Sequence, residues 1–351
     1  MRSMRILRNC WYAAAWADEV VHGELLSRRI ADLPMLFYRP RENEIACIAD
    51  YCIHRFAPLH RGAQIGEVVR CGYHGLEFNA NGQCVRNPHE KGNLPNKTIP
   101  SYPVVERYSV IWIWIGDAEA ADPTLISEEF AFLGSSARTH VRGRFHVKAN
   151  YQLLLDNLMD ISHAIYLHGE ALMTEDLYAK YDPKMHVDGD EVTVTLEQKD
   201  ITAPILFRVA LPEGTNRVDF YDYVKFLMPA LVSHDIAYTQ IGEGPYQPSG
   251  VSSRSAHLFT PETATTTHYM FNNSRDFMLD DPKTSDRMLA ALKKAFGDED
   301  IPMIEAQQEV VDDRDLFDLK PAILVNDRAG VLVRRTLAKR LKQQEESAGP
   351  T

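Results

Sequence analysis

The pattern of apolar and polar positions divides the chain into a β-rich first third and a mixed remainder. In the first third, short apolar runs at 34–38, 45–49 and 110–115 are separated by turn residues, which is typical of short strands. Asn79-Ala80-Asn81-Gly82 predicts a hairpin turn, because its last two residues take up positive φ at little cost. We therefore expect a small sandwich or barrel-like domain in this part of the chain.

The remainder mixes helical and strand-like patterns. Residues 151–168 predict one helix that ends at Gly169, and strand-like apolar runs follow between 187 and 275. Two further helices are expected to begin at Asp281-Pro282 and at Asp300-Ile301-Pro302, since an acidic residue close before a proline is a common helix start.

Together these elements predict an α+β fold. An N-terminal all-β domain is expected over residues 1–125, followed by a mixed domain over residues 126–340 with a central antiparallel sheet flanked by helices. Residues 341–351 are rich in Lys, Gln, Glu and Ser, and we expect them to form a disordered tail.

Composition and charge narrow the class of function. A chain of 351 residues with 45% hydrophobic and 25% charged residues fits a globular protein of two domains. A net charge of −11 argues against nucleic acid as a partner, and the apolar runs are too short to span a bilayer. The five cysteines are too few and odd in number for a disulfide framework, and the N-terminus lacks the apolar core of a signal peptide. These features predict a reduced, cytoplasmic protein.

Two cysteine–histidine pairs form the first candidate metal site. Cys52-Ile53-His54 is followed sixteen residues later by Cys71-Gly72-Tyr73-His74. Two such loops can hold a [2Fe-2S] cluster of the Rieske kind, in which two cysteines bind one iron and two histidines bind the other. A structural zinc site also takes two cysteines and two histidines, although its usual order is both cysteines before both histidines. Zinc therefore stays an alternative.

A second candidate site lies in the predicted helix 151–168. No Lys, Arg or Glu occurs between Ala149 and Gly169, whereas Asn157, Asp160 and His163 do. Short polar side chains in an apolar setting indicate a buried polar site, the alternative being a solvated helix face. His163 and His168 would lie roughly 140° apart on an undistorted helix. They can bind one metal ion only if the helix bulges or ends between them.

The third ligand of such a site must come from elsewhere in the chain. Two histidines and one carboxylate form the facial triad of non-haem Fe(II) oxygenases. Candidate carboxylates cluster far along the chain, and chemistry alone does not choose among Asp298, Glu299, Asp300 and Glu305. The same acidic run could simply stabilise a helix N-terminus.

Several segments resemble a known family. The paired segments Cys52–Leu59 and Cys71–Phe78 are similar to the Rieske domain of aromatic oxygenases, and in particular to the vanillate demethylase and dicamba monooxygenase branch. Asn9-Cys10-Trp11-Tyr12-Ala13-Ala14 and Pro103-Val104-Val105-Glu106-Arg107 resemble that branch as well. The resemblance extends over most of the chain.

The resemblance implies a role for each candidate residue. Cys52, His54, Cys71 and His74 would hold the cluster, and His163, His168 and Asp300 a mononuclear Fe(II). Asp160 would be a carboxylate that links His163 to His74 of a neighbouring subunit in a homotrimer, because metal-bound imidazoles usually donate their second N–H to an acceptor. Asn157 would support the iron site, and His257 would hydrogen-bond the substrate.

The same resemblance implies the activity. The chain would be the terminal oxygenase of a multicomponent monooxygenase, receiving electrons from NAD(P)H through a ferredoxin, an NAD(P)H-dependent reductase or both. It would use O2 to hydroxylate an alkyl substituent of a small aromatic compound, which gives oxidative O- or N-dealkylation. Ring or methyl hydroxylation or dihydroxylation without dealkylation is the alternative within the family. An electron carrier or a zinc-binding module is the alternative outside it.

Overall fold

The computed structural model describes residues 5–90, 95–169, 174–208, 210–245, 247 and 250–347. These residues divide into two compact units. The first unit comprises Ile6–Ser127 together with Thr260–Thr263, and the second comprises the other described residues. The short segment Thr260–Thr263 comes from a strand more than a hundred residues further along the chain. The sequence patterns did not indicate that it belongs to the first unit.

The first unit is all-β. Its described strands pair antiparallel in three sheets, in the orders β1-β11-β10, β2-β3-β4-β9 and β5-β6-β7-β8. The strands are β1 Cys10–Trp16, β2 Leu26–Ile30, β3 Leu33–Tyr38, β4 Ala46–Ala49, β5 Ala63–Ile65, β6 Val68–Arg70, β7 Glu77–Phe78, β8 Cys84–Arg86, β9 Ser101–Tyr102, β10 Val104–Arg107 and β11 Val110–Ile115.

The predicted strands and hairpin of this unit are confirmed. Every residue of β11 is buried, as its unbroken apolar run predicts. The hairpin between β7 and β8 is closed by the Asn79 side chain, whose Oδ1 accepts from the backbone N–H groups of Asn81 and Gln83. Of the two residues expected to take up positive φ, Gly82 does so at 73° and Asn81 does not.

The second unit is built on one antiparallel sheet of seven strands. Their order is β12-β18-β17-β16-β15-β14-β13, so each strand from β14 onward pairs with the strand before it in the chain, and β12 lies at the edge of the sheet beside β18. The strands are β12 Thr139–Val147, β13 Lys184–Asp188, β14 Glu191–Thr202, β15 Arg217–Leu227, β16 Leu231–Thr239, β17 Val251–Thr263 and β18 Thr266–Arg275. The α+β fold with a central antiparallel sheet and helices is confirmed.

Helices flank this sheet, and none of those described is both long and apolar enough to cross a membrane. They are α1 Tyr151–Met159, α2 Ala164–Leu167, α3 Glu175–Ala179, α4 Ile205–Arg208, α5 Pro282–Leu292, α6 Ile301–Val311 and α7 Arg328–Ser347, with a π-helical segment, Lys293–Asp300, between α5 and α6.

Three helix predictions need comment. The single helix expected over 151–168 is wrong, because the backbone becomes extended at Asp160. The start at Asp281 is confirmed, since its side chain accepts from the N–H of Lys283. The start at Asp300 is confirmed in position, since α6 begins at Ile301, but Asp300 has helical angles (φ −68°, ψ −54°) and its side chain caps nothing, so the π segment continues directly into α6.

The predicted disordered tail over 341–351 is largely helical. Helix α7 runs through Ser347, and its buried positions Val333, Leu337 and Leu341 recur every four residues. Burial of Leu341, the last residue of this apolar stripe, stabilises the turn that contains it. The helix therefore continues beyond residue 340. Residues 348–351 lie outside the described part of the chain.

Candidate metal centres

The two cysteine–histidine loops of the first unit share one backbone conformation. In each loop the N–H of the cysteine donates to the carbonyl five residues on, and the cysteine carbonyl accepts from the N–H four residues on. The residue at that fourth place has positive φ in both loops, 53° at Phe56 and 75° at Gly75. Two similar loops can present similar ligands to a metal cluster from two sides.

The cysteines of these loops lie inside and the histidines lie outside. Cys52 and Cys71 are 1% and 2% exposed, whereas His54 is exposed and His74 half-buried. The two imidazole rings are 4.4 Å apart between centroids. Nδ1 of His74 is buried without a hydrogen-bond partner, and a metal ion bound there would satisfy it. These residues therefore fit a metal group.

The arrangement favours a cluster over a single ion. Among the described residues, Cys52, His54, Cys71 and His74 contribute to no set of three ligand atoms within 4.8 Å of one another. One tetrahedral zinc would need all four ligands at such distances, whereas a two-iron cluster spreads them over two metals. Burial raises the pKa of Cys52 to about 11, so a metal must displace a proton from this thiol.

The second site forms where α1 ends. The carboxylate of Asp160 accepts from the N–H of Ser162 at 2.9 Å and caps a short 3-10 turn, Ile161–His163. Helix α2 then ends at Leu167, so His168 follows the last helical residue. The helix thus ends between His163 and His168, as a shared metal requires, and their rings lie 5.3 Å apart between centroids.

Asp300 completes a cluster of three ligand atoms. Its Oδ1 is 3.4 Å from Nε2 of His163 and 3.4 Å from Nε2 of His168. The carboxylate is buried at the end of the π segment, a helix form that often occurs at functional sites. Among the described residues, these three are the one set of His, Cys, Asp and Glu ligands close enough to hold a single ion.

The neighbouring acids have other partners. Glu299 accepts from Nδ1 of His168 at 2.8 Å, and Glu305 accepts from the backbone N–H of Lys148. The contacts therefore distinguish the candidate ligands that chemistry left open. Of Glu299, Asp300 and Glu305, only Asp300 has a carboxylate oxygen close to both histidines.

Both histidines have their second nitrogen anchored. Nδ1 of His163 donates to the backbone carbonyl of Asp160 at 2.5 Å, and Nδ1 of His168 donates to Glu299. With the proton on Nδ1, the lone pair of Nε2 is free for a metal. Burial lowers the pKa of His163, but the contacts with Asp300 and Asp160 outweigh it and the net pKa is raised. A metal ion would thus replace a proton here.

Asn157 and Asp160 both border the triad, in different ways. Nδ2 of Asn157 donates to Oδ1 of Asp300 at 3.1 Å, which fits the expected supporting role. The carboxylate of Asp160 was expected to accept from His163, and this detail is wrong: the backbone carbonyl does so instead. The carboxylate accepts from Ser162 and from Nδ2 of Asn326.

His257 lies on β17 and is 1% exposed. Its Nδ1 is 2.7 Å from the hydroxyl of Tyr269, while Nε2 is buried without a hydrogen-bond partner. Its ring lies 5.3 Å from that of Phe296, in the π segment that carries Asp300. Burial lowers the pKa of His257 well below its usual value, so the ring is neutral. An unsatisfied buried nitrogen, on a ring that lies against the π segment carrying Asp300, fits a contact to substrate.

Sequence patterns missed three of these partners. Glu299 was weighed only as a metal ligand, and Tyr269 and Asn326 were not singled out. Tyr269 sits in a strand that is buried along almost its whole length, and Asn326 is 166 residues from Asp160. No local signal distinguishes either of them, since their contacts form only in the folded chain.

Comparisons with known proteins match both parts of the chain. The Rieske [2Fe-2S] domain model matches residues 10–103, and the vanillate O-demethylase oxygenase C-terminal domain model matches residues 147–343. The oxygenase component of chloroacetanilide N-alkylformylase from Rhizorhabdus wittichii is 35% identical over 96% of each chain. The iron-sulfur subunit of the toluene-4-sulfonate monooxygenase system from Comamonas testosteroni is 36% identical over 97% of this chain and 98% of that one.

A solved structure extends the likeness to the whole fold. Dicamba monooxygenase with non-haem iron and dicamba has a TM-score of 0.82 and 32% identity, covering 98% of this chain and 99% of its own. These matches confirm the expected cofactors, a two-iron, two-sulfur cluster and a mononuclear iron. The chain belongs to the Rieske non-haem iron oxygenases, as an oxygenase component of the vanillate O-demethylase type.

Proposed function

We propose that this protein removes an O- or N-alkyl group from a small aromatic compound by oxidation, as the oxygenase component of a multicomponent monooxygenase. The observation that carries the proposal is the convergence of His163, His168 and Asp300 in a chain that also has two Cys–His loops. The relatives support the reaction class, since their names include an O-demethylase and an N-alkylformylase.

In this proposal each metal centre has its own set of protein ligands. Cys52, His54, Cys71 and His74 hold the cluster, and His163, His168 and Asp300 hold Fe(II). When bound, the cluster supplies electrons one at a time and the iron supplies oxygen activation for C–H hydroxylation. Three protein ligands on one face leave coordination positions open. Asn157 fixes Asp300 through its amide, which keeps the carboxylate aimed at both histidines.

His257 orients the substrate. Its free Nε2 can hydrogen-bond a polar group of the aromatic compound, and a neutral ring can do so as donor or acceptor. The aromatic rings of Phe296 and Tyr269 lie beside it and offer an apolar wall. Such a wall excludes water and leaves the hydrogen bond to His257 to set the orientation of the ring.

A homotrimer would connect the two metal centres of neighbouring chains. His163 and Asp160 line a cleft whose walls include the exposed side chains of Met303, Val310 and Ile323. The cluster loops expose apolar side chains of their own, Phe56 and Tyr73, beside His54. We place the loops of one subunit in the cleft of the next, where the carboxylate of Asp160 accepts from His74 of the neighbouring subunit while its backbone carbonyl accepts from His163 of its own chain.

The remaining partners follow from the family. The electron donor is a ferredoxin, an NAD(P)H-dependent reductase or both. A cytoplasmic location stays a prediction.

A second candidate reaction is hydroxylation of a ring methyl group. The relative that acts on toluene-4-sulfonate favours it, because that compound has a ring methyl and no O- or N-alkyl group. The two reactions differ in product: a hydroxylated carbon next to oxygen or nitrogen collapses to an aldehyde and a dealkylated arene, whereas a hydroxylated methyl stays on the ring.

The test is a reconstituted assay with a ferredoxin and a reductase. We expect methoxybenzoates or N-alkyl anilides to give an aldehyde in step with NAD(P)H and O2 consumption, and matched toluates to give little product. A benzylic alcohol from toluates without aldehyde from the others would favour the second candidate. No oxygen-dependent product from either class would contradict both.

The same assay tests the intersubunit link. Asp160→Asn should leave the cluster absorption spectrum and the iron content unchanged but abolish turnover, because an amide cannot accept from two sides as a carboxylate does. Normal turnover in this variant would remove Asp160 from the electron path and leave the dealkylation proposal standing.

A further inference from the structure

Asn326 lies in a short 3-10 turn, Val325–Asp327, directly before α7. Its Nδ2 donates to Oδ2 of Asp160 at 3.1 Å and to the hydroxyl of Ser162 at 2.6 Å. The backbone N–H of Ser162 donates to the other carboxylate oxygen of Asp160. Both oxygens of Asp160 are thus held from this chain, each by one donor.

The turn that carries Asn326 is itself anchored at two places. Oδ2 of Asp327 accepts from the N–H of Leu324 at 2.6 Å, which closes the turn. Further along α7, Arg334 is 7% exposed and pairs with Asp156 on α1 through hydrogen bonds of 2.6 to 2.9 Å. Helix α7 and the turn before it therefore contact the segment that leads to His163 at two residues, Asp156 and Asp160.

We infer that Asn326 is a positioning residue that holds the carboxylate of Asp160 in the orientation needed for electron transfer between subunits, an inference that rests on the proposed role of Asp160. A carboxylate has about four lone-pair sites, so one donor on each oxygen leaves sites open for a histidine of the neighbouring subunit. Because the amide of Asn326 is neutral, its hydrogen bond does not cancel the negative charge of the Asp160 carboxylate.

The orientation of the Asp160 side chain matters because this one carboxylate forms the proposed link between the subunits. Without Asn326, Oδ2 of Asp160 loses the one donor that the structure gives it, and the side chain regains freedom about χ1 and χ2. Asn326 touches neither His163 nor His168 nor Asp300 in the described contacts, so the iron site itself should be unaffected by its loss.

The experiment compares Asn326→Ala with Gln240→Ala, a matched amide deletion at an exposed position after β16 that does not line the cleft. Iron-loaded, chemically reduced protein is mixed with substrate and O2, and the re-oxidation of the cluster is followed by stopped-flow absorption. We expect Asn326→Ala to slow this single turnover roughly 10- to 100-fold, the usual effect of losing an outer partner at a metal site. Gln240→Ala should match the parent protein.

A second readout needs no metal. In the metal-free protein, backbone amide hydrogen exchange at Ser162 should be faster in Asn326→Ala, because the carboxylate that accepts this N–H is no longer held. Iron content, sulfide content and oligomeric state should not change. Ser162→Ala, which removes the second acceptor of Asn326, should slow cluster re-oxidation to a smaller degree and serves if Asn326→Ala does not fold.

A double variant separates this inference from the proposed function. If Asn326 acts through Asp160, the rate of Asp160→Asn/Asn326→Ala should equal that of Asp160→Asn alone. The inference fails if Asn326→Ala behaves like Gln240→Ala, or if it slows the Asp160→Asn background further. If Asp160→Asn itself re-oxidises its cluster at the normal rate, the proposed bridge fails instead.

Discussion

At the scale of single residues, the iron site depends on what holds the histidines from behind. Nε2 of His163 and of His168 point at one carboxylate because each Nδ1 is tied to an acceptor, a carbonyl in one case and Glu299 in the other. The sequence predicted the ligand types, since short polar residues in an apolar helix stand out. It could not predict the acceptors, because a backbone carbonyl has no sequence signature.

Glu299 allows a test of this idea. Glu299→Gln keeps the size of the side chain but weakens the acceptor for His168, so Fe(II) affinity should fall roughly 10- to 100-fold. Asp298→Asn is the matched control, since Asp298 is the adjacent acid, is exposed and changes the same charge. Fe(II) titration of the iron-depleted protein measures both; equal affinities in the two variants would show that the contact with Glu299 has no role in binding.

At the scale of elements, two departures from regular α-helix build the site. The break at Asp160 arises because its side chain bonds the N–H of Ser162, a local contact that competes with helix continuation. The π segment is the other departure, and it ends at Asp300. Periodicity predicted helices in both places but not these departures, because each depends on a few specific bonds rather than on an apolar stripe.

A substitution at Gly297 tests whether close packing fixes the position of the π segment. A Cβ at this position would come within 2.9 Å of the ring of Phe145, so Gly297→Ala must displace either the ring or the segment. We expect the free energy of unfolding to fall by about 1–3 kcal/mol and Fe(II) affinity to fall with it, because Asp300 moves with the segment. Gly244→Ala is the control, since its Cβ would meet a neighbour only at 3.8 Å.

Chemical denaturation and Fe(II) titration of the two glycine variants measure these effects. If Gly297→Ala has the unfolding free energy and the Fe(II) affinity of the parent protein, the ring of Phe145 moves aside at no cost. The contact between Gly297 and Phe145 then does not fix the position of Asp300.

At the scale of the whole molecule, the sequence predicted the fold class and the order of its two parts. The apolar runs at 34–38, 45–49 and 110–115 coincide to within a residue with β3, β4 and β11, whereas most other strands of the first unit were not singled out. The membership of Thr260–Thr263 in the first unit, and the place of β12 next to β18 in the seven-stranded sheet, were not predictable. Both depend on pairing between segments far apart in the chain, which periodicity does not encode.

The proposed trimer gives a prediction at this scale. Ile323 is 54% exposed on the wall of the cleft, so Ile323→Asp should place a charge in the contact between subunits and favour the monomer. Ile241→Asp is the control, because Ile241 is 55% exposed in a turn and does not line the cleft. Sedimentation velocity should give a trimer for the control and smaller species for Ile323→Asp; identical trimers would move the interface elsewhere.

The claim that one chain holds two separate metal centres is tested most directly by counting iron and acid-labile sulfide in two variants. Anaerobically prepared protein should contain about three iron atoms and two sulfides per chain. His168→Ala should retain about two irons and both sulfides, whereas Cys71→Ser should lose the sulfide and keep about one iron. Zinc in place of iron, or sulfide lost with His168 but not with Cys71, would contradict the account.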